Sequence, residues 1–314
     1  MTIEEWPRVA VMGAGAVGCY FGGMLARAGA PVTLIGRAAH VDAITASGLL
    51  LQTRDFEATV PASASIDPAA AGDAELVLFA VKTTDTEAAA NTLALHVSNG
   101  AVVVCLQNGV DGAERIRAAT RIDAIPASVY VAAEMTAPGV VTHAGRGDLI
   151  IGDAPQRGGS SDQRRRDIER VAHVFGRAGV PCRVSARIET DLWTKMVMNC
   201  AYNAISALTR TRYGRLVADP GTREVMRHAI EETVAVARGL GVEMPDGMVE
   251  AGWKLAGSMP NALSSTGQDI LRGKRTEIDS LNGYVARRGA ELGIPTPVSH
   301  TLHTLVKLLE KSSL

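Results

Sequence analysis

The sequence predicts an α/β domain over residues 1–187, followed by an all-α domain over residues 188–314. Short, β-branched apolar runs alternate with helical segments in the first half, whereas nearly every segment after Ile188 has helical periodicity. The length of 314 residues suits two domains, because a domain has roughly 100–200 residues. With 46% hydrophobic residues, each domain can bury a core of its own.

The first domain is predicted to contain a parallel sheet covered by helices on both faces. A buried strand at Arg8–Met12 leads through a glycine-rich turn into an apolar helix at Val17–Ala28. Apolar strands without polar alternation are typical of a parallel sheet, and they recur at Pro31–Ile35, Leu76–Val81 and Ala101–Leu106. Two shorter segments predict a small β excursion, at Leu49–Thr53 and Ala58–Val60.

The pattern changes between Ala124 and Asp153, where glycines and a proline interrupt the apolar runs. We expect three short strands added antiparallel at the sheet edge, at Ala127–Ala132, Gly139–His143 and Asp148–Gly152. The polar segment Gln156–Arg166 is interpreted as a surface loop that leads into a helix at Asp162–Ala178. A last strand at Cys182–Ser185 closes the domain.

The second domain is predicted to be a set of helices near residues 189–208, 221–240, 246–257, 277–292 and 297–311. Thr276 and Asp279 have the spacing of a capping box for the fourth of these helices. Glu277 then lies in the first turn, where the helix dipole favours an acid. Helix capping therefore explains Thr276 and Asp279, and the helix dipole explains Glu277, without any catalytic role.

Composition and charge exclude several classes of function. Lys and Arg total 32 against 33 Asp and Glu, so no global field favours nucleic acid or an anionic membrane. The longest apolar runs fall far short of the ~20 residues that a membrane span needs. Met1–Arg8 lacks the basic and apolar regions of a signal peptide. We therefore expect a cytoplasmic protein with neither a nucleic acid nor a membrane partner.

Cysteine and histidine usage points to reduced thiols and no metal. The four cysteines are widely spaced and form no CxxC pattern, as expected of buried thiols in a reducing compartment. The seven histidines are scattered and form no HExxH pattern.

The turn after the first strand carries the strongest motif in the chain. Residues 13–18 form GxGxxG as Gly13-Ala14-Gly15-Ala16-Val17-Gly18, between an apolar strand and an apolar helix. This context is what a dinucleotide-binding fingerprint requires, and it makes the first domain Rossmann-type. The helix N-terminus would hold the pyrophosphate with free amides and a partial positive charge. An ordinary tight turn is the alternative explanation.

Basic and amide side chains at other strand ends indicate the cofactor. Arg37 ends the second strand, where an NAD-binding protein would place an acid for the ribose diol. A guanidinium there suits a 2′-phosphate and favours NADPH, although an exposed Arg at a strand end is also ordinary. Lys82 and Asn108 follow two further strands, and ligands bind beyond the carboxyl ends of parallel strands.

A line of polar residues crosses an otherwise apolar helix in the second domain. Lys195, Asn199 and Asn203 recur every four residues and so share one side of the helix. A solvated face would carry more charge, so the pattern favours a lined cleft over a narrow exposed stripe. An ammonium in such a cleft is able to protonate the alkoxide that forms when a ketone is reduced.

These motifs, in their order and spacing, resemble the ketopantoate reductase (2-dehydropantoate 2-reductase) family along nearly the whole chain. The residues that carry the resemblance are GAGAVG at 13–18, GR at 36–37, VK at 81–82, QNG at 107–109, WxKxxxNxxxN at 193–203, and SSxxxD with RxTEIDxLNG at 264–283. The resemblance implies a Rossmann domain, a helical domain and an active site in the interdomain cleft.

The resemblance also implies a role for each matched residue. Lys195 would be the general acid, and Glu277 would contact the reacting end of the substrate and orient the site. Asn199, Asn203 and Ser265 would hold the substrate, and Asn108 would lie between substrate and cofactor. Residues Gly13, Ala14, Gly15, Ala16, Val17, Gly18, Arg37 and Lys82 would hold NADPH/NADP+.

The function predicted from the sequence is the NADPH-dependent reduction of 2-dehydropantoate to pantoate, a step of pantothenate and coenzyme A biosynthesis. Two enzymatic alternatives are a reductase of another small 2-oxo acid and a dehydrogenase of a hydroxy acid or polyol phosphate. A non-enzymatic alternative is an NADPH-sensing protein, which would not need the Lys–Asn–Asn line. The sequence leaves a homodimer formed through the helical domain open.

Overall fold

The structure, a computed structural model, describes residues 5–154 and 162–313, and the chain divides into two compact units. The first unit is Met1–Ile188 and the second is Glu189–Leu314. The first is a helix-covered sheet and the second is helical, so the predicted fold class of each half is confirmed. Most of the loop predicted at Gln156–Arg166 lies outside the described residues.

One ten-stranded sheet organises the described part of the first unit. Its strands are β1 (Val9–Met12), β2 (Val32–Ile35), β3 (Leu49–Gln52), β4 (Glu57–Val60), β5 (Ser63–Ser65), β6 (Leu76–Phe79), β7 (Val102–Cys105), β8 (Ile125–Ala137), β9 (Val140–Gly152) and β10 (Cys182–Ser185). Within it, β5-β2-β1-β6-β7-β8 are parallel neighbours. Counted along the chain, this is the 3-2-1-4-5-6 order of dinucleotide-binding folds, and the order reverses between β1 and β6.

Helices cover both faces of this sheet, which explains why its strands are apolar on both sides. The helices are α1 (Ala16–Arg27), α2 (Ala38–Ser47), α3 (Thr86–Ala94), α4 (Gly112–Ala119) and α5 (Asp162–Arg177). Val9 and Val11 of β1 belong to a core shared with α1 and α5, whereas Ala10 and Met12 belong to a second core shared with α3 and α4. Successive side chains of a strand point to opposite faces, so a four-residue strand serves both cores.

The strand prediction for residues 127–152 is wrong in length and number. β8 and β9 are two antiparallel strands of 13 residues each, where we expected three short ones. Irregularities in register lie between Tyr130 and Val131 and between Ala132 and Ala133, opposite the glycine-bearing part of β9. Bulges absorb an extra residue without ending a ladder. β9 also pairs with β3, so the small β excursion belongs to the same sheet.

The second unit contains helices and no strand among its described residues. Its helices are α6 (Ile188–Thr209), α7 (Tyr213–Ala218), α8 (Pro220–Gly239), α9 (Met248–Ser258), α10 (Ser265–Leu271), α11 (Asn282–Leu292) and α12 (Pro297–Ser313). The two shortest, α7 and α10, were not predicted, because one or two turns leave little periodicity to detect. Within the described chain, we find no helix whose length and hydropathy would suit a membrane span.

The predicted capping box at Thr276 is also wrong. The helix expected from residue 277 begins at Asn282, and a short 3₁₀ turn precedes it. Thr276 donates instead to Glu310, and Asp279 pairs with His303 and Lys307. These α12 side chains occupy the groups that a cap would have used.

Candidate active site

In the turn between β1 and α1, close packing leaves no room for a side chain at two of the glycines. Gly13 has a φ of +113°, and a Cβ there would lie 2.7 Å from the backbone carbon of Ala80. A Cβ on Gly18 would lie 2.1 Å from the carbonyl oxygen of Gly13. The backbone amides of Gly13 and Ala14 both donate to the Ile35 carbonyl, at 3.0 and 2.9 Å. The turn is thus held against the ends of β2 and β6.

At the third glycine, Gly15, packing against the rest of the protein does not require the absence of a side chain. A Cβ on Gly15 would have no atom of the described chain within 4 Å, and the residue is exposed. Gly15 is the N-cap of α1, whose first turn carries no acidic residue. Ala16 and Val17 follow, half-buried, in that turn. Helix N-termini present free amides to anions, so this open space fits a phosphate group.

Arg37 lies beside this turn at the end of β2. A Cβ on the preceding Gly36 would be 2.6 Å from that of Ala14, so the backbone here touches the glycine turn. Arg37 is the N-cap of α2 and is exposed. Among the described residues, its guanidinium has no hydrogen-bond or ion-pair partner. The group is therefore free to bind an anion.

Two further predicted residues follow the next strands of the parallel sheet. Lys82 follows β6 and Asn108 follows β7, and both are half-buried. Their strand ends are joined by Gln107, whose Nε2 donates to the Val81 carbonyl at 3.0 Å and to Thr86 Oγ1 at 2.9 Å. Sequence reasoning assigned Gln107 no role. The available signal was a glutamine at the end of an apolar strand, because a buried side-chain amide needs hydrogen-bond partners.

In the second unit, the predicted polar line lies on one continuous helix, α6. Lys195 and Asn199 are half-buried, and Asn203 is only 3% exposed. Neighbours such as Val197 and Cys200 are completely buried. The side chains share one side of the helix, as their spacing of four residues requires. This burial is unlike that of a solvated stripe.

Ser264 attaches the start of α10 to this helix. Its Oγ accepts from the Gly267 amide at 3.0 Å, as an N-cap does, and donates to the Asn203 carbonyl at 3.2 Å. Ser265, the predicted substrate residue, is the next residue and is exposed. The buried serine of the pair is thus structural, and it presents the exposed one near Asn203.

A second side chain attaches the Glu277 segment to the same helix. Glu277 is half-buried, with φ −100° and ψ 21°, and precedes a 3₁₀ turn. Asn282, which is completely buried, donates from Nδ2 to the Cys200 carbonyl at 3.1 Å. The sequence had assigned Asn282 no role. The segments that carry Ser265 and Glu277 are therefore both anchored to α6, in the part that carries Asn203.

The described cysteines and histidines do not form a metal site. The His, Cys, Asp and Glu residues of the described chain include no group of three that would hold a metal ion. All four cysteines are free, and burial raises the pKa of Cys19, Cys105 and Cys200 to about 12. Cys182 is half-buried, less than predicted, yet burial raises its pKa to about 12 as well. Such thiols are poor nucleophiles at neutral pH.

The parallel sheet with its glycine-rich turn, together with a helical unit, is the architecture of a two-domain nicotinamide-dependent oxidoreductase. The chain belongs to the ketopantoate reductase PanE/ApbA family. That family's model matches residues 9–156, and the model of its C-terminal part matches residues 187–310.

Several known proteins resemble the chain over nearly its full length. A 2-dehydropantoate 2-reductase from Halobacterium salinarum is 35% identical, covering 97% of this chain and 99% of its own. A PanE/ApbA family ketopantoate reductase from Ralstonia eutropha JMP134 has a crystal structure that superposes with a TM-score of 0.90 at 49% identity, covering 98% and 99% of the two chains. D-mandelate dehydrogenase with NADH and anilino(oxo)acetate shares the fold, with a TM-score of 0.89 at 23% identity and the same coverage.

Proposed function

We propose that this chain is an NADPH-dependent 2-dehydropantoate 2-reductase, which reduces ketopantoate to pantoate in the biosynthesis of pantothenate. Family membership over both units supports the reaction, and so does the name of its relative from Halobacterium salinarum. The observation that carries the proposal is the line of Lys195, Asn199 and Asn203 on the buried helix α6.

Lys195 is the proposed general acid. When bound, NADPH supplies the hydride that reduces the ketone carbon. Negative charge then develops on the ketone oxygen, and the Lys195 ammonium stabilises that charge and donates the proton. Such acid catalysis contributes ~10²–10⁴-fold to the rate. The half-buried position of Lys195 strengthens its interaction with the oxygen, because less water screens the charge.

The remaining polar residues are proposed to hold the substrate. Asn199, Asn203 and Ser265 would bind its carboxylate and hydroxyl groups through neutral donors, which suits a monocarboxylate better than a phosphate. Glu277 would orient the reacting end of the substrate, and Asn108 would contact both substrate and cofactor. The anchoring of two of these segments to α6 supports their joint use in one site.

The first unit fits the proposed cofactor. The open space at Gly15 supports a pyrophosphate bound there, and the tight packing at Gly13 and Gly18 supports a turn of fixed shape beside it. Ala14, Ala16 and Val17 complete that turn. Lys82 is proposed to add positive charge at the neighbouring strand end. Arg37 stands where an NAD-binding protein would have an acid, and it would pair with the 2′-phosphate that distinguishes NADPH from NADH.

A substrate and cofactor panel tests the proposal. The purified chain is supplied with NADPH or NADH and with 2-dehydropantoate, pyruvate or 2-oxoisovalerate, and oxidation is followed by absorbance. We expect the highest kcat/KM with NADPH and 2-dehydropantoate. A higher value with another 2-oxo acid would reassign the substrate. NADPH binding without turnover of any acid would favour the sensing alternative.

We also propose that the enzyme works in the cytoplasm without a nucleic acid partner. The near balance of positive and negative side chains supports the absence of a nucleic acid partner, since it provides no field for a polyanion. A homodimer is the oligomeric state to test, and sedimentation of the purified chain across a concentration series measures it.

A further inference from the structure

A continuous series of contacts joins α12 to both sides of Glu277. Its three α12 members lie at spacings of four and three residues, and so on one side of that helix. We call this set the α12 network, and its members are Thr276, Asp279, His303, Lys307 and Glu310. No sequence motif predicted it.

On the N-terminal side of Glu277, the α12 network forms a hydrogen bond with the backbone itself. Glu310 Oε1 accepts from the Thr276 amide at 2.7 Å and from Thr276 Oγ1 at 2.5 Å. Glu310 is 6% exposed and Thr276 is 1% exposed. A buried carboxylate is costly unless it is paired and hydrogen-bonded. These two bonds, with the Lys307 ammonium 2.9 Å from Oε2, satisfy that requirement.

On the C-terminal side, Asp279 receives two partners from the same helix. Its Oδ1 lies 2.7 Å from His303 Nε2, and its Oδ2 lies 2.9 Å from Lys307 Nζ. Lys307 therefore bridges Asp279 and Glu310 and closes the network. The hydrogen bond from His303, helped by Lys307, holds the pKa of Asp279 well below its usual range.

The helix that provides these contacts is itself fixed. The Glu232 carboxylate of α8 accepts from the amides of Val298 and Ser299, at 2.8 and 2.7 Å, and so caps the first turn of α12. Gly283 makes room for the network, because a Cβ there would lie 2.8 Å from the ring of His303. Glu232 thus holds the start of α12 against α8, and Gly283 lets His303 come close to the Glu277 segment.

Glu277 depends on such support because no regular helix holds it. It precedes a single 3₁₀ turn, in which the Ser280 amide donates to the Glu277 carbonyl at 2.9 Å. The direction of its side chain follows from the backbone at Thr276 on one side and Asp279 on the other. Both side chains are bound to α12, and Thr276 Oγ1 also accepts from the Ile278 amide at 3.3 Å.

We propose that Lys307, Glu310 and Asp279 are positioning residues, which act on the reaction by fixing the backbone that presents Glu277. This inference rests on the proposed function, because Glu277 is taken to orient the substrate. None of the three is assigned contact with substrate or cofactor.

The first test compares two lysines of α12. Lys307→Met breaks the network, whereas Lys311→Met changes an exposed lysine of the same helix and is the matched control. Misplacement of a positioning group costs up to ~10²-fold in rate. We therefore expect Lys307→Met to lower kcat with 2-dehydropantoate by at least ~10-fold and to leave the Kd for NADPH unchanged. The control Lys311→Met should keep the kcat of the wild type.

Two further comparisons separate positioning from simple destabilisation. Thr276→Ser keeps the hydroxyl that donates to Glu310 and should retain most of kcat, whereas Thr276→Val should lose as much as Lys307→Met. In a Glu277→Gln background, Lys307→Met should lower kcat little further, because the group it positions is already gone. Full additivity of the two losses would overturn the proposal.

Hydrogen exchange provides a readout independent of activity. We expect residues 276–281 to exchange faster in Lys307→Met than in the wild type or in Lys311→Met. Unchanged exchange in this segment would overturn the inference whatever the activity. If the wild type reduces no 2-oxo acid, the proposed function fails, and the exchange result alone still decides whether α12 fixes the Glu277 segment.

Discussion

Gln107 Nε2 donates a hydrogen bond to the Val81 carbonyl oxygen at 3.0 Å, although 26 residues separate the two along the chain. Because Gln107 is buried, this bond fixes the distance between the loops that follow two neighbouring strands. Those loops carry Lys82 and Asn108. Gln107, which has no proposed catalytic role, thereby joins the loops of two proposed ligand-binding residues.

Gln107→Leu should weaken both stability and cofactor binding. It leaves the Val81 carbonyl and the Thr86 hydroxyl without their donor, at a cost of about 1–3 kcal/mol in the free energy of unfolding. We also expect a higher Kd for NADPH, because Lys82 and Asn108 lose their common support. Urea unfolding and NADPH titration measure the two effects. Gln163→Leu, at an exposed helix position, is the control, and equal behaviour of the two variants would contradict the role.

Two glycines of the same turn should fail in different ways when changed to alanine. Gly15→Ala meets no atom of the described chain within 4 Å, so it should fold normally but bind NADPH poorly. Gly18→Ala places a Cβ 2.1 Å from the Gly13 carbonyl and should lower the thermal midpoint even without cofactor. Thermal unfolding and NADPH titration of both variants test this. Normal NADPH affinity in Gly15→Ala would show that no phosphate lies there.

Arg37→Ala should affect NADPH and leave NADH nearly unchanged. A hydrogen bond to a charged group contributes about 1.5–3 kcal/mol, which corresponds to a ~10- to 10²-fold increase in Kd. Titration with both cofactors measures the difference, and Arg121→Ala, another exposed position in the first unit, is the control. Parallel losses for the two cofactors would show that Arg37 does not read the 2′-phosphate.

Lys195→Met should remove the general acid while keeping most of the apolar stem. We expect kcat to fall by at least ~10²-fold, with Kd for NADPH little changed. Lys254→Met, at an exposed position of α9, should keep full activity. Single-turnover measurement of NADPH oxidation distinguishes a slower chemical step from slower product release. An unchanged single-turnover rate would exclude Lys195 from the proton transfer.

Acid should destabilise the protein partly through Asp279. Its pKa is lowered in the folded state, first by the hydrogen bond with His303, from an ordinary value of 3.8. A lowered carboxylate pKa contributes stability above the unfolded value, and that stability is lost as the pH falls below it. We therefore expect the wild type to lose stability more steeply than Asp279→Asn as the pH falls from about 5 through 3.8 and below. Urea unfolding across that range measures it, with Asp246→Asn, an exposed acid, as control.

Features encoded by local spacing were predictable from the sequence. The turn at residues 13–18 follows from glycines between a strand and a helix, and Arg37 follows from its position at a strand end. The line of Lys195, Asn199 and Asn203 follows from helical geometry alone. In each case the residues that define the feature lie within a few turns of one another.

Only the tertiary structure decided features whose partners are distant in the chain. Thr276 and Asp279 have the local spacing of a helix cap, but α12 side chains 24–34 residues away bind them instead. Gln107 and Asn282 likewise reach partners 26 and 82 residues away. A buried polar group takes whichever partner the packed chain brings within about 3 Å, and periodicity does not report that choice. The sequence alone therefore determined which chemical groups this protein has, and the packing of distant segments decided how they are held.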